Sequence, residues 1–203
     1  MGTLSAMNGK GARVSELMAK DLKLTAPPMS WHTQRDEWVA LGCELGLLTG
    51  SLGKIARDIV LMSQAEVGEV AEPVEPGRGG PSNMPHKHNP VASMVAIAAS
   101  QRVPQRVAAL LAVMPQEHER ALGAWQAELA EWPQLVISAH GSARALAQAL
   151  PGLQVDAHRM RGNLDAVRAT LTKATADEWF NPVLPELAGE LALAQLQLMR
   201  EPL

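Results

Sequence analysis

The stretch from Trp38 to Met62, WVALGCELGLLTGSLGKIARDIVLM, sets the frame for reading the rest of the chain. Trp38, Leu41, Leu45, Leu48, Leu52, Ile55, Ile59 and Met62 follow one another at alternating steps of three and four. That period lays apolar side chains in one seam along an α-helix. No proline falls between Pro28 and Pro73, so the spacing predicts one helix from Arg35 to Ala65, about 46 Å long at 1.5 Å per residue. Gly42, Gly46, Gly50 and Gly53 weaken it intrinsically, so packing must hold it. A second seam runs through Trp125, Leu129, Trp132, Val136, Ala139, Ala143, Leu146 and Leu150, with Pro133 early enough to kink the helix without ending it. Between the seams, Val91 to Met114 reads as a third helix bent at Pro104.

Shorter helices follow. Met160, Leu164, Val167 and Leu171 mark one after Asp156, a helix-capping residue type, and Leu187, Leu191 and Leu198 mark another after Pro185. No alternating strand pattern is evident, so the expected class is all-α. A compact globule of this size has a radius of gyration of roughly 17 Å, which a helix of about 46 Å overshoots. The expectation is therefore an elongated bundle of long helices that oligomerises through the bundle. Residues 1–150 form the long-helix segment with a loop at 77–90, and residues 151–203 the short helices.

Composition narrows the function. The 203 residues are 47% hydrophobic, enough for a core, and carry a formal charge of −3. That balance gives no whole-chain reason to bind nucleic acid or a membrane surface. No Tyr and one Phe argue against base-stacking platforms. The single cysteine, Cys43, has no internal disulfide partner, and no apolar run approaches the roughly 18 residues of a membrane span. A cytoplasmic protein is expected.

The chemistry concentrates in Gly77-Arg78-Gly79-Gly80-Pro81-Ser82-Asn83-Met84-Pro85-His86-Lys87-His88-Asn89-Pro90, a loop leading directly into a helix. From Pro76 to Gln116 there is no Asp or Glu, while Arg78, Lys87, Arg102 and Arg106 supply positive charge. Glycines permit close backbone approach, and the N-terminus of the following helix offers N–H donors and a partial positive charge, so the stretch reads as an anion trap. Ser82, Lys87 and Asn89 together suit binding a carboxylate and stabilising charge that develops on it. His86 and His88 lack a nearby Cys or carboxylate, so no metal is expected. Glu66, Glu69, Glu72 and Glu75 recur every three residues as a solvated helix face would. His118-Glu119-Arg120 follows Pro115 at an expected helix start, either as a cap or as further donors to the anion pocket.

The loop resembles the signature of the fumarase/aspartase superfamily, Gly-Ser-Ser-x-Met-Pro-x-Lys-x-Asn-Pro. The segments Trp31-His32-Thr33-Gln34-Arg35-Asp36 and Gln116 to Glu128 are similar to its 3-carboxy-cis,cis-muconate cycloisomerase branch. The resemblance covers roughly Gly2 to Arg168 and corresponds to the central and later part of longer family chains. It implies a homotetrameric helical bundle with each active site built from three subunits, no cofactor, and a small di- or tricarboxylate substrate. It further implies addition of a carboxylate across a double bond, the reverse of a β-elimination. Ser82 and Lys87 would be catalytic, with Gln34, Arg35, Met84, His86, Asn89 and Arg120 binding substrate. Pro81 replaces the serine that usually handles the proton. An adenylosuccinate lyase-like elimination is the near alternative, and a catalytically silent oligomerisation module the alternative of another class.

Overall fold

The computed structural model describes residues 6–28, 32–74, 89–118 and 122–200. The element order is α1 (Gly11–Asp21), α2 (Asp36–Met62), β1 (Val70–Ala71), α3 (Val91–Ala112), α4 (Ala124–Ala149), β2 (Gln154–Val155), α5 (Ala157–Ala169), α6 (Lys173–Trp179) and α7 (Val183–Leu198). Three long helices appear where the apolar periodicity places them. Pro104 and Pro133 both lie inside helices. The Asp156 side chain accepts a hydrogen bond from the Arg159 N–H at 2.8 Å, so it caps α5 as expected.

Two clusters fix the arrangement. Val39 at the start of α2 packs with Val103 and Leu110 late in α3 and with Trp132 and Leu135 early in α4. Ala56 and Ile59 near the end of α2 pack with Ala96 early in α3 and Leu146 late in α4. Hence α3 runs antiparallel to α2, and α4 parallel to it. α2 is also long and apolar enough to cross a membrane by length and composition, a test that core helices of bundles pass as well.

The buried face of α2 coincides only in part with the seam that the sequence singles out: Ile59 is buried, and Leu45, Leu52 and Met62 pack against the two core clusters. Val39, Gly42, Thr49, Gly53, Ala56 and Ile59 are buried, whereas Leu41, Leu48 and Ile55 are 49%, 45% and 41% exposed. Small residues win the inner face because they let helices approach closely. A Cβ added at Gly53 would lie 2.4 Å from Ser100 Cβ, and one at Gly42 would lie 2.9 Å from a Leu110 methyl. Leu41, Leu48 and Ile55 are left outward. On α4 the seam divides similarly: Trp132, Ala139 and Leu146 are buried, while Leu129 and Val136 are exposed.

The connection after α2 also departs from expectation. Residues 66–72 are not a helix face: the chain leaves α2 at Ser63, turns through Gly68 at φ +62°, and enters β1. β1 pairs antiparallel with β2, Val70 opposite Val155 and Ala71 opposite Gln154. This short ladder was not expected from an all-α reading. It is extended by the Asp156 N–H, which donates to the Glu69 carbonyl at 2.9 Å. From α5, the Arg159 Nε donates to the Val67 carbonyl at 3.0 Å, and the Asn163 side-chain amide donates to the same carbonyl and to the Glu69 carboxylate, each at 2.9 Å. α7 buries none of its residues against the rest of the described chain.

The helix contact yields a stability prediction. Gly53→Ala should destabilise the chain by about 1–3 kcal/mol, because the packed Ser100 must move. Gly50→Ala, whose Cβ meets nothing within 4 Å, should be neutral or stabilising by up to about 1 kcal/mol. Urea denaturation of the two variants against the parent chain measures the difference, and equal effects would refute the close approach.

Candidate functional site

Two segments far apart in sequence meet at the start of α2. Arg35 is the residue preceding the helix, and its Nε donates to the Glu128 carboxylate at 2.9 Å while a terminal guanidinium nitrogen bonds the other carboxylate oxygen. This is a fork-to-fork pair, the strongest geometry open to arginine and a carboxylate. Both side chains are nearly withdrawn from solvent, 13% exposed for Arg35 and 5% for Glu128. Gln116 completes the group, its amide donating to Glu128 Oε1 at 2.9 Å.

Aromatic rings enclose the ions. The His32 ring lies 4.2 Å from that of Trp125, Trp38 lies 4.5 Å from Trp132, and the Arg35 guanidinium carbon sits 5.9 Å from the Trp38 ring centre. Low-dielectric walls strengthen the ion pair and raise the cost of removing one member. Gln116 Oε1 and Trp132 Nε1 are buried and find no hydrogen-bond partner among the described residues.

The N-terminal side of α4 differs from the expected course. His118 is exposed, with φ +50°, and α4 begins only at Ala124. The turn is closed by Gln126, whose Oε1 accepts from the Gly123 N–H at 2.9 Å. His118 therefore does not cap a helix at Pro115. Glu128, which holds Arg35, and Gln116, which bonds Glu128, were not among the expected site residues. A buried glutamate among apolar positions of a helix is the available signal, because such a residue needs a cationic partner.

The loop side lies at the other end of the bundle. Asn89 is half-buried just before α3, whose first turns pack beside the end of α2. The 27 residues of α2 separate it from Arg35, about 40 Å at 1.5 Å per residue. The chain thus brings Arg35 and the exposed Gln34 together, but places Asn89 far from both. Ser82, Met84, His86, Lys87 and Arg120 lie outside the described residues, as do Arg78, Pro81 and His88.

Two elements of the expected anion trap are already occupied. Arg106 is paired with Glu131 on α4 at 2.6 Å. The first-turn amides of α3 are also taken: Glu72 Oε2 accepts from the Ala92 N–H at 2.9 Å, and Oε1 from the Ser93 N–H at 2.8 Å. Among the described residues, no three His, Cys, Asp or Glu side chains group in a way that could hold a metal ion.

The fold is a bundle of long helices with polar residues gathered at both ends. The family model described as Lyase matches residues 2–104, and the chain belongs to that family. It is 50% identical over 164 residues to 3-carboxy-cis,cis-muconate cycloisomerase of Pseudomonas putida, an alignment covering 81% of this chain and 39% of that protein. The enzyme of the same name from Pseudomonas aeruginosa is also 50% identical, over 80% of this chain and 36% of its own length. The crystal structure of 3-carboxy-cis,cis-muconate lactonizing enzyme from Pseudomonas putida superposes with a TM-score of 0.72 at 42% identity, covering 94% of this chain and 45% of that one. The chain therefore spans under half the length of these relatives.

Removing one ion of the buried pair should be costly. Glu128→Ala is expected to destabilise by about 3–5 kcal/mol, because it leaves the Arg35 guanidinium uncompensated. The Arg35→Ala/Glu128→Ala double variant should be less destabilised than the sum of the two single variants. A double-mutant cycle by urea unfolding measures this, and strict additivity would refute the coupling.

Proposed function

We propose that this chain carries the signature-loop half of a 3-carboxy-cis,cis-muconate cycloisomerase-like enzyme acting in aromatic catabolism through protocatechuate, in the cytoplasm. The observation that carries the reading is the 50% identity to that enzyme across four-fifths of the chain. The junction of Arg35 and His32 with Glu128, Gln116 and Trp125 supports it, because it joins the two segments whose residues resemble that branch.

In the proposed reaction, one carboxylate oxygen of the substrate bonds to a carbon of a double bond. The displaced π electrons move toward the neighbouring carboxylate, giving an aci-carboxylate, and the adjacent carbon then takes up a proton. No electrons leave the substrate, so no redox partner is required. Lys87 and Asn89 hold the carboxylate that accumulates charge, where fixed donors act most strongly on the transition state. Met84 and His86 shape the same loop. Ser82 handles the proton in place of the family serine, whose position Pro81 occupies. Gln34 and Arg35 contact substrate from the opposite end of the bundle, and Arg120 is a further substrate contact.

A distance of about 40 Å along α2 between Arg35 and Asn89 is incompatible with one site inside one chain. It suits a site assembled between copies, the Arg35 end of one bundle meeting the Asn89 end of another. The outward Leu41, Leu48 and Ile55 of α2, with Leu129 and Val136 of α4, supply apolar surface for such assembly, with a tetramer as the proposed state.

The ultraviolet absorbance of 3-carboxy-cis,cis-muconate follows the reaction directly. We expect it to fall when the chain is mixed with the upstream portion of the Pseudomonas putida relative. No change, with the chain alone or with that portion, would defeat the enzymatic reading. By calorimetric titration, Lys87→Ala should weaken binding of the muconate at least tenfold, while Lys54→Ala, which removes the exposed pair with Asp58, should leave it unaltered. Light scattering at micromolar concentration should report an oligomer, and a monomer of 21.7 kDa would exclude the shared site.

A further inference from the structure

Glu72 makes a set of contacts that the proposed reaction does not use. Besides the Ala92 and Ser93 N–H groups, its carboxylate accepts a hydrogen bond from the Ser93 hydroxyl at 2.6 Å. Ser93 is fully buried. Three donors therefore converge on one carboxylate, at the helix end where the macrodipole favours negative charge. Glu72 precedes the 75–88 segment and its partners follow it, so the contact ties together the two ends of the signature loop. Asn89 belongs to the same turn: its carbonyl accepts from the Val91 N–H at 2.9 Å, and the Pro90 carbonyl accepts from the Met94 N–H at 2.9 Å.

The approach to Glu72 is itself held. Val67 and Glu69 are bonded by Arg159 and Asn163, and Val70 and Ala71 are paired with β2. Glu72 thus directly follows a fixed segment, in which Val70 is buried. A flexible tether could not hold a turn in register, but this one is anchored on both sides.

We infer that Glu72 is a positioning residue for the signature loop. It acts as a built-in carboxylate that closes the α3 N-terminus to outside anions and sets where Asn89 stands. A substrate carboxylate is then received by the loop side chains and not by the helix amides. This inference rests on the reading of residues 77–90 as the carboxylate-binding loop, and it assigns to Glu72 the task of keeping the loop as the only seat for that group.

Hydrogen exchange and ligand binding test it on the same variants. In Glu72→Ala, amide exchange at Ala92 and Ser93 should accelerate about tenfold or more, the expected scale for losing a charge-assisted bond, while amides at Thr49 and Gly53 in α2 keep their parental rates. Added formate should slow exchange at Ala92 and Ser93 in Glu72→Ala and have no effect in the parent chain, since only the variant has vacant donors. Affinity for 3-carboxy-cis,cis-muconate should fall about tenfold in Glu72→Ala, with an unchanged unfolding midpoint in Glu72→Gln and a smaller loss of affinity there. Parental exchange rates at Ala92 and Ser93 in both variants, or no response to formate in Glu72→Ala, would overturn the role. So would muconate affinity that is unchanged in both. If the parent chain itself binds no muconate, the enzymatic reading fails, while the exchange and formate results still decide whether Glu72 holds and closes the turn. Should Glu72→Ala not fold, Glu72→Gln carries the exchange comparison alone, and parental rates there would equally overturn the role.

Discussion

The small-residue face of α2 is the constraint on which the rest of the structure depends. Gly42 sits against Leu110 and Trp132, and Gly53 against Ser100, with no room for a methyl group at either place. Helices that meet on glycine approach until their backbones nearly touch, so the contact fixes both the separation and the axial register of α2 and α3. Once that register is set, Val39 must face Leu110 and Ile59 must face Ala96. Leu45 and Leu52 pack at the edge of that face, and Leu41, Leu48 and Ile55 are turned outward. The same choice that makes the bundle tight inside thus makes it apolar outside.

Register along α2 also determines which polar groups become neighbours. Arg35 stands at the entrance of α2, and because α4 runs parallel to α2, the early residues of α4 arrive beside it. Glu128 is therefore delivered to Arg35 by helix packing and not by local sequence. An ion pair in such surroundings contributes little net stability compared with apolar residues of the same shape, but it penalises any arrangement that separates its members. It fixes the relative placement of the 32–35 and 116–128 segments more firmly than the tilted Trp contacts do alone.

How much of this was legible in the sequence follows from which information is local. The three long helices, their proline positions and the Asp156 cap depend on spacing within a single segment, and each was found close to its observed bounds. The inner face of α2 was found only in part: Leu45, Leu52, Ile59 and Met62 of the stripe meet the core, but close packing also selected Gly42, Thr49, Gly53 and Ala56, which a search for large apolar side chains passes over. Glu69 and Glu72 looked like solvent-facing charges, because their partners, Asn163 and the α3 amides, are distant in sequence. The positive stretch after Pro76 was real as composition, but Glu131 compensates Arg106 from another helix. The signature loop itself was legible as a motif, and its chemistry rests on residue types. Its distance from Arg35 was legible only from the packing.

The β1–β2 pairing and the bonds from Arg159 and Asn163 have a bearing on the order of folding. The segment that leads into the loop, residues 66–72, is secured by residues 154–163, more than eighty positions later. Contacts of such long sequence separation form after local ones, since the intervening chain must first be ordered. During synthesis, α2 and α3 have emerged and can pack while their connection still lacks its anchors. The long helices can therefore pack before residues 66–71 receive the bonds that β2 and α5 supply. An interruption of the chain before β2 would leave the three long helices with an approach to the loop that keeps the hold of Glu72 on α3 and lacks every bond from β2 and α5.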